Sequence, residues 1–235
     1  MCKLLVANNR QERLVATQDS VAGAVRSKVL RSRGHFWRPT DFDGSPGAVA
    51  VALSRLHDEG ELRRIRRGLY WRGPKTLLGM APPKPEQLIT ELAGRTGVGP
   101  SGPSAAAALG LSTQVPSRTF VAVPMRPPSS PRGIRFVDRS GREGRVSAGL
   151  GPAEVALLEV LDAPDRFIEI DRDEAFARMR KLLRNGEIDA LRLSRAAPGE
   201  SARVRENLRT LLNHIGRPDL ATRVPGRRFS SRHAA

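Results

Sequence analysis

Residues 44–72 read GSPGAVAVALSRLHDEGELRRIRRGLYWR, and two periods meet inside them. Ser45 supplies a hydroxyl N-cap, and Pro46 takes the first helical position, where a missing N–H costs nothing. Val49, Leu53 and Leu56 then fall at i, i+4 and i+7, a core-facing stripe that leaves Gly47, Ala48, Val51 and Arg55 outward. The spacing predicts a helix running to about Glu59 and stopped by Gly60. Beyond it, Leu62-Arg63-Arg64-Ile65 and Leu69-Tyr70-Trp71-Arg72 flank Arg66-Arg67-Gly68, which reads as a β-hairpin with glycine at its turn and a strongly basic tip.

Upstream, Ser20 opens a helix with Val21, Ala24, Val25, Val29 and Leu30 on one face and Arg26, Lys28 and Arg31 around the rest. His35-Phe36-Trp37 is a short extended piece, and Pro39 and Thr40 begin a brief helical turn through Phe42 that Gly44 breaks. Residues 1–18 are polar and irregular and read as a loose arm. The order helix, short helix, helix, basic hairpin matches a winged helix-turn-helix over 19–80. In that architecture the last helix enters the major groove and the hairpin reaches phosphates or the minor groove.

Downstream, Pro74–Pro85 reads as a proline-rich connector, since Pro82, Pro83 and Pro85 continue neither a helix nor a central strand. A domain boundary is expected there, at 80/81. Glu86–Arg95 and the small-residue stretch Pro103–Leu109 read as helices, and Thr119–Val123 and Ile134–Val137 as strands joined by a loop over Pro124–Gly133. From Pro152 the pattern is helical. Asp171 with Glu174 starts one helix that carries Phe176, Met179, Leu182 and Leu183 and stops at Gly186. Val204, Leu208, Leu211, Leu212 and Ile215 define a last helix closed by Gly216, before a basic tail over 223–235. The expected fold class is α+β, with an N-terminal winged helix-turn-helix followed by a mixed α/β and mainly helical C-terminal domain over 81–222.

Of the 235 residues 39% are hydrophobic and only 4% aromatic, so the core rests on Leu, Val, Ile and Ala. The net charge of +16 and a pI near 11.5 point to a polyanionic partner, with nucleic acid first among the candidates. Half of that charge lies in residues 1–80. The preference for Arg over Lys has two readings, bidentate recognition of phosphate and guanine or a GC-rich coding bias.

Cys2 is the lone cysteine, which excludes an intrachain disulfide and a cysteine-based zinc site. No apolar run reaches the length of a membrane span, and MCKLLVANNR is too short in apolar residues for a secretion signal. A cytoplasmic protein is expected.

Candidate DNA contacts are Ser45, Gly47, Ala48, Val51 and Arg55 on the helix and Arg63, Arg64, Arg66 and Arg67 on the hairpin. Gly47, Ala48 and Val51 can touch a thymine methyl but cannot hydrogen-bond a base edge, which leaves Arg55 as the base-reading candidate. A merely solvated Arg55, and a hairpin used for protein contacts, are the alternatives.

Gly97-Val98-Gly99-Pro100-Ser101-Gly102 matches G-x-G-x-x-G, but a helix precedes it, a proline sits inside it, and no acidic residue falls between Glu91 and Asp138. The pattern therefore argues against a dinucleotide cofactor, and no other cofactor is expected. His35, His57, His214 and His233 are widely separated, so no metal site is expected either. The acidic residues over 154–189 read as exposed helix faces, with Asp173 or Glu174 paired to Arg178. No carboxylate cluster argues for an enzyme such as a nuclease.

Three segments together resemble the AbiEi family of antitoxins from type IV toxin–antitoxin systems. They are GSPGAVAVALSRLHDEGELRRIRRGLY (44–70), APPKPEQL (81–88) and PSGPSAAAALGLSTQVP (100–116). The last carries a G-x-x-A-A-x-x-L-G-L-x-T-Q-V-P run, formed by Gly102, Ala105, Ala106, Leu109, Gly110, Leu111, Thr113, Gln114, Val115 and Pro116. Ala107 stands where an asparagine is often found in the family.

The resemblance implies an N-terminal winged helix that binds inverted repeats in double-stranded DNA of its own promoter and represses it. It also implies a C-terminal part that counteracts a nucleotidyltransferase-like toxin, by direct or indirect contact. The alternative is a stand-alone winged-helix transcriptional regulator or RNA-binding protein whose C-terminal helices dimerise or sense a ligand.

Overall fold

The computed structural model describes residues 21–226. The arm over 1–18, the helix start at Ser20, Cys2, His233 and the tail from 227 onward lie outside them. An N-terminal mixed α/β region, with helices interleaved among small sheets, is followed by a mostly helical region. The chain divides into two compact units, Met1–Glu91 and Leu92–Ala235.

The first unit begins with a helix over 21–31 (α1), followed by β1 (His35–Trp37), a 3-10 turn (Pro39–Asp41) and α2 (Pro46–Asp58). The Asp41 carboxylate closes the 3-10 turn by accepting the Arg38 N–H at 2.6 Å. Ser45 caps α2 by accepting the Ala48 N–H at 3.3 Å, as the sequence predicts. β2 (Arg63–Arg66) and β3 (Leu69–Arg72) form the hairpin. β3 lies in the middle, because β1 pairs antiparallel to its other edge with Trp37 opposite Tyr70.

One apolar cluster ties these elements together. Val25 and Val29 come from α1, Trp37 from β1, Val49, Ala52, Leu53 and Leu56 from α2, and Leu62 and Tyr70 from the hairpin. Leu53 is completely buried. At about 1.5–3 kcal/mol per buried large side chain, this cluster holds helix and hairpin in one fixed arrangement.

The stretch expected as an extended connector contains a second hairpin, β4 (Lys75–Thr76) and β5 (Gly79–Met80). The Thr76 hydroxyl makes its turn, donating to the Gly79 carbonyl at 2.8 Å and accepting the Leu78 N–H at 3.2 Å. The Trp71 indole N–H bonds the Ala81 carbonyl at 2.9 Å and holds the strands' exit against the first sheet. Gly73 is required at that point: a Cβ there would come within 2.4 Å of the Trp71 indole nitrogen and 2.5 Å of the Ala81 oxygen. α3 (Pro85–Ala93) follows.

In the second unit, β6 (Gly99–Pro100), β7 (Thr119–Val123) and β8 (Ile134–Asp138) form a small sheet in that order. β6 runs antiparallel to β7, whereas β7 and β8 are parallel, with Thr119 beside Ile134 and Val123 beside Asp138. α4 (Gly102–Ala108) and α6 (Pro152–Asp162) pack on this sheet. Around them come α5 (Gly144–Ser147), α7 (Pro164–Phe167), α8 (Arg172–Arg184), α9 (Ala190–Ala196), α10 (Ala202–His214) and α11 (Pro218–Ala221). α10 is therefore not the last helix. Arg217 and Pro218 restart the chain just past Gly216.

α6 is buried on every side from Glu154 to Leu161 and is the axis of the second core. Of the acidic residues expected on exposed faces, Asp165, Glu169, Asp171, Asp173, Glu174 and Glu187 are exposed, whereas Glu154 and Glu159 on α6 are buried. Glu154 is enclosed because its carboxylate accepts the Gly151 N–H at 3.0 Å and the Asp189 N–H at 3.2 Å, while Glu159 is enclosed among arginines. The expected pairing of Arg178 with Asp173 or Glu174 also gives way, since Arg178 donates to the Gly110 carbonyl and Asp171 caps α8.

Candidate nucleic-acid interface

On α2 the residues left over from the core form one exposed stripe. Gly47, Val51 and Arg55 are exposed and Ala48 half-buried, each about one turn from the next, and Val51 keeps about 51% of its surface. Small residues at the start of the stripe leave the helix backbone open to close approach. Ser45 stands at its head, exposed, with its hydroxyl oxygen already engaged by the cap. Glu59, one turn beyond Arg55, is occupied by Arg26 of α1. Arg55 has no carboxylate partner among the described residues.

The hairpin presents Arg63, Arg64, Arg66 and Arg67, all exposed. Ile65 is an extra residue in β2, because Arg64 lies opposite Tyr70 while Arg66 already lies opposite Leu69. Such a bulge increases the local twist of the strand. Arg63 donates to the Met80 carbonyl at 3.2 Å and is partly spent on the second hairpin. Arg64, Arg66 and Arg67 have no ion pair among the described residues. Three other basic groups of this unit are ion-paired, Arg72 and Lys75 sharing Glu61 at 3.2 and 2.5 Å and Arg38 with Glu91 at 2.5 Å. The Lys75 ammonium holds the Glu61 carboxyl below the usual carboxylate range.

The second unit arranges its arginines differently. Arg145 is fully buried and donates to Glu200 at 2.6 and 3.0 Å and to Glu159 at 2.9 Å. Arg139 donates to Glu159 through two nitrogens at 2.8 and 2.7 Å, and the Ser101 hydroxyl adds a bond to the same carboxylate at 2.6 Å. Arg142 bridges Glu200 at 3.0 Å and Asp162 at 3.3 Å.

Burial pushes Glu159 up, but the Arg139 bonds, the Arg145 charge and the Ser101 bond outweigh it and hold the carboxyl below its ordinary value. For Arg145, burial works against the charge and is outweighed by Glu200 and Glu159. With every carboxylate of the cluster committed to a guanidinium, the arrangement orders the fold and offers no free base. Among the described residues no group of three or more His, Cys, Asp or Glu side chains could hold a metal ion.

The glycines of the G-x-G-x-x-G stretch face packed protein. A Cβ on Gly99 would meet Val155 Cβ at 2.7 Å and the Pro152 carbonyl at 2.8 Å, so β6 lies directly on α6. The buried acid cluster gave no sequence signal, because a carboxylate on a helix looks the same solvated or enclosed until its distant partners are placed.

A family model described as a family of unknown function, DUF6088, matches residues 27–140, from within α1 to just past β8. No curated protein matches the chain. Among solved structures, the chain is similar to the RV2827C protein from Mycobacterium tuberculosis at 17% identity, over 92% of this chain and 87% of that one, with a TM-score of 0.48.

Proposed function

We propose that the chain is a cytoplasmic transcriptional regulator whose first unit is a winged helix that docks on duplex DNA. The observation that supports it most is the connectivity. Helix, turn and helix are followed by a hairpin whose second strand lies between β1 and β2, and the hairpin's Arg64, Arg66 and Arg67 are exposed with no ion pair among the described residues. In a winged helix these parts have fixed tasks. α2 enters the major groove, where Gly47, Ala48 and Val51 permit close approach and contact thymine methyls, and Arg55 reaches a base edge or phosphate. Arg64, Arg66 and Arg67 neutralise backbone phosphates, with Arg63 in support.

The second unit then serves dimerisation or sensing. The antitoxin role rests on the resemblance over 44–116, and growth rescue of cells expressing a neighbouring nucleotidyltransferase-like gene product tests it separately.

The test of DNA binding is a salt titration of binding to the gene's own upstream duplex, followed by fluorescence anisotropy, with an RNA duplex as competitor. Log affinity falls with log salt by about 0.9 per phosphate neutralised, so Arg66→Ala with Arg67→Ala should flatten the slope by roughly 2. An unchanged slope and affinity remove the hairpin from the interface. Stronger competition by RNA moves the assignment to an RNA-binding protein.

A further inference from the structure

The start of the parallel strand pair in the second unit forms a cleft of about 420 Å³ lined by Ser117, Arg118, Ser130, Arg132 and Arg135, with Pro131, Gly133 and Ile134 completing its wall. Parallel pairing is what creates it. Because Thr119 lies beside Ile134, the segments leading into β7 and β8 arrive at the same end of the sheet, where an antiparallel pair would place them at opposite ends. The Thr119 N–H bonds the Gly133 carbonyl at 2.8 Å and locks the two lead-ins together. Ile134 and Phe136 turn into the core, so Arg135 between them faces out. Ser130 accepts the Phe136 N–H at 3.1 Å and keeps its own proton to donate.

Three exposed arginines share this lining, and no carboxylate is part of it. Among the described residues, the ion-paired arginines of this unit are Arg139, Arg142, Arg145, Arg192 and Arg217; Arg118, Arg132 and Arg135 are not among them. Like charges held together in a cleft repel unless an anion joins them, and a cleft focuses their field. Guanidinium forks suit phosphoryl oxygens, and the lining contains no aromatic ring. The volume falls in the range of small-ligand sites, ~300–1,000 Å³, and exceeds the need of a single phosphate.

We propose that this cleft binds a phosphoryl oxyanion as a diphosphate-sized unit, recognised by Arg118, Arg132 and Arg135 with the hydroxyls of Ser117 and Ser130. The same chemistry has two sources, a free nucleotide or polyphosphate and the backbone of a nucleic acid. The site stands independently of the winged-helix reading.

Calorimetric titration of the full chain with inorganic pyrophosphate at fixed ionic strength tests it, beside anisotropy with a short duplex. One-to-one saturable binding is expected. The Arg118→Ala, Arg132→Ala, Arg135→Ala variant should weaken it at least ~10-fold, since each lost charge-assisted bond is worth about that factor. Arg66→Ala with Arg67→Ala should leave pyrophosphate binding unchanged while weakening duplex binding, which separates this cleft from the hairpin.

Loss confined to pyrophosphate assigns a free phosphorylated ligand, and loss confined to the duplex assigns a nucleic-acid backbone. If the triple variant binds both probes as the parent does, the proposal is overturned. Arg132→Glu, a single exposed loop change, gives the same readout should the triple variant lose its circular dichroism.

Discussion

The arginines of the β2–β3 hairpin and those from the end of β8 into α5 both cluster closely along the chain and meet opposite surroundings. Arg64, Arg66 and Arg67 face water with no ion pair among the described residues, whereas Arg139, Arg142 and Arg145 are drawn inward by Glu159, Asp162 and Glu200. Glu159 and Glu200 are each 3% exposed. The second group is balanced charge for charge and adds nothing to the field outside. The hairpin and the cleft at the start of β7 and β8, by contrast, each gather several exposed arginines that no carboxylate among the described residues pairs.

Cutting the inner group should have the largest effect. Arg145→Ala removes the buried guanidinium that Glu159 and Glu200 share, leaving them to Arg139 and Arg142 alone, and removing one partner of a buried pair costs about 3–5 kcal/mol. The molecule supplies a way to see which unit responds. Trp37 and Trp71 are its two tryptophans and both belong to the first unit, while most helices belong to the second. In urea, the far-ultraviolet circular dichroism transition of Arg145→Ala should move to lower denaturant and the tryptophan fluorescence transition should stay. If both move together the units unfold as one, and the contrast between them fails energetically.

Acid should produce a smaller loss in the same place. Glu159 keeps its charge in the folded protein below the pH at which an unfolded glutamate, near 4.5, takes a proton. Its stabilisation is present above that value and is lost as pH falls through the lower folded value. The dichroism melt should therefore weaken from about pH 5 downward. The tryptophan melt should weaken less, because Glu61, also held low, is paired with a Lys75 that is half-exposed and screened. Glu159→Gln should remove this pH dependence. A melt equally acid-sensitive in that variant would assign the effect to other carboxylates.

The elements were legible where the signal was local. Ser45-Pro46, the Val49–Leu56 spacing and Gly60 define α2 within a residue of its observed ends, and the two strands at 119–123 and 134–138 appear at the expected places. Their parallel pairing was not legible, because the 124–133 loop supplies no crossover helix to announce it. The cleft of Arg118, Arg132 and Arg135 was hidden with it. The β4–β5 hairpin was masked by its setting: its turn residues Leu77 and Leu78 are apolar yet fully exposed, and the prolines beyond it dominate the local pattern. The buried Glu159 depends on Arg139 and Arg145, which periodicity within α6 cannot reveal.

The smallest stability effect belongs to Arg55, and for that reason it sharpens the contrast most. Its side chain is exposed, lies on the Gly47–Val51 stripe and has no acid to hold it, since Glu59 is taken by Arg26. Arg55→Ala should therefore change neither unfolding transition by more than ~0.5 kcal/mol. Binding is where it should register. A guanidinium bidentate to a guanine edge gives about 1–3 kcal/mol of discrimination, so the variant should lose that much on its best duplex and much less on a scrambled one. Equal losses on both would make Arg55 a phosphate contact like the hairpin arginines, and specificity would then lie in the close approach of Gly47, Ala48 and Val51 and in duplex shape. No loss on either would leave Arg55 a solvated side chain and take the C-terminal half of α2 out of the groove.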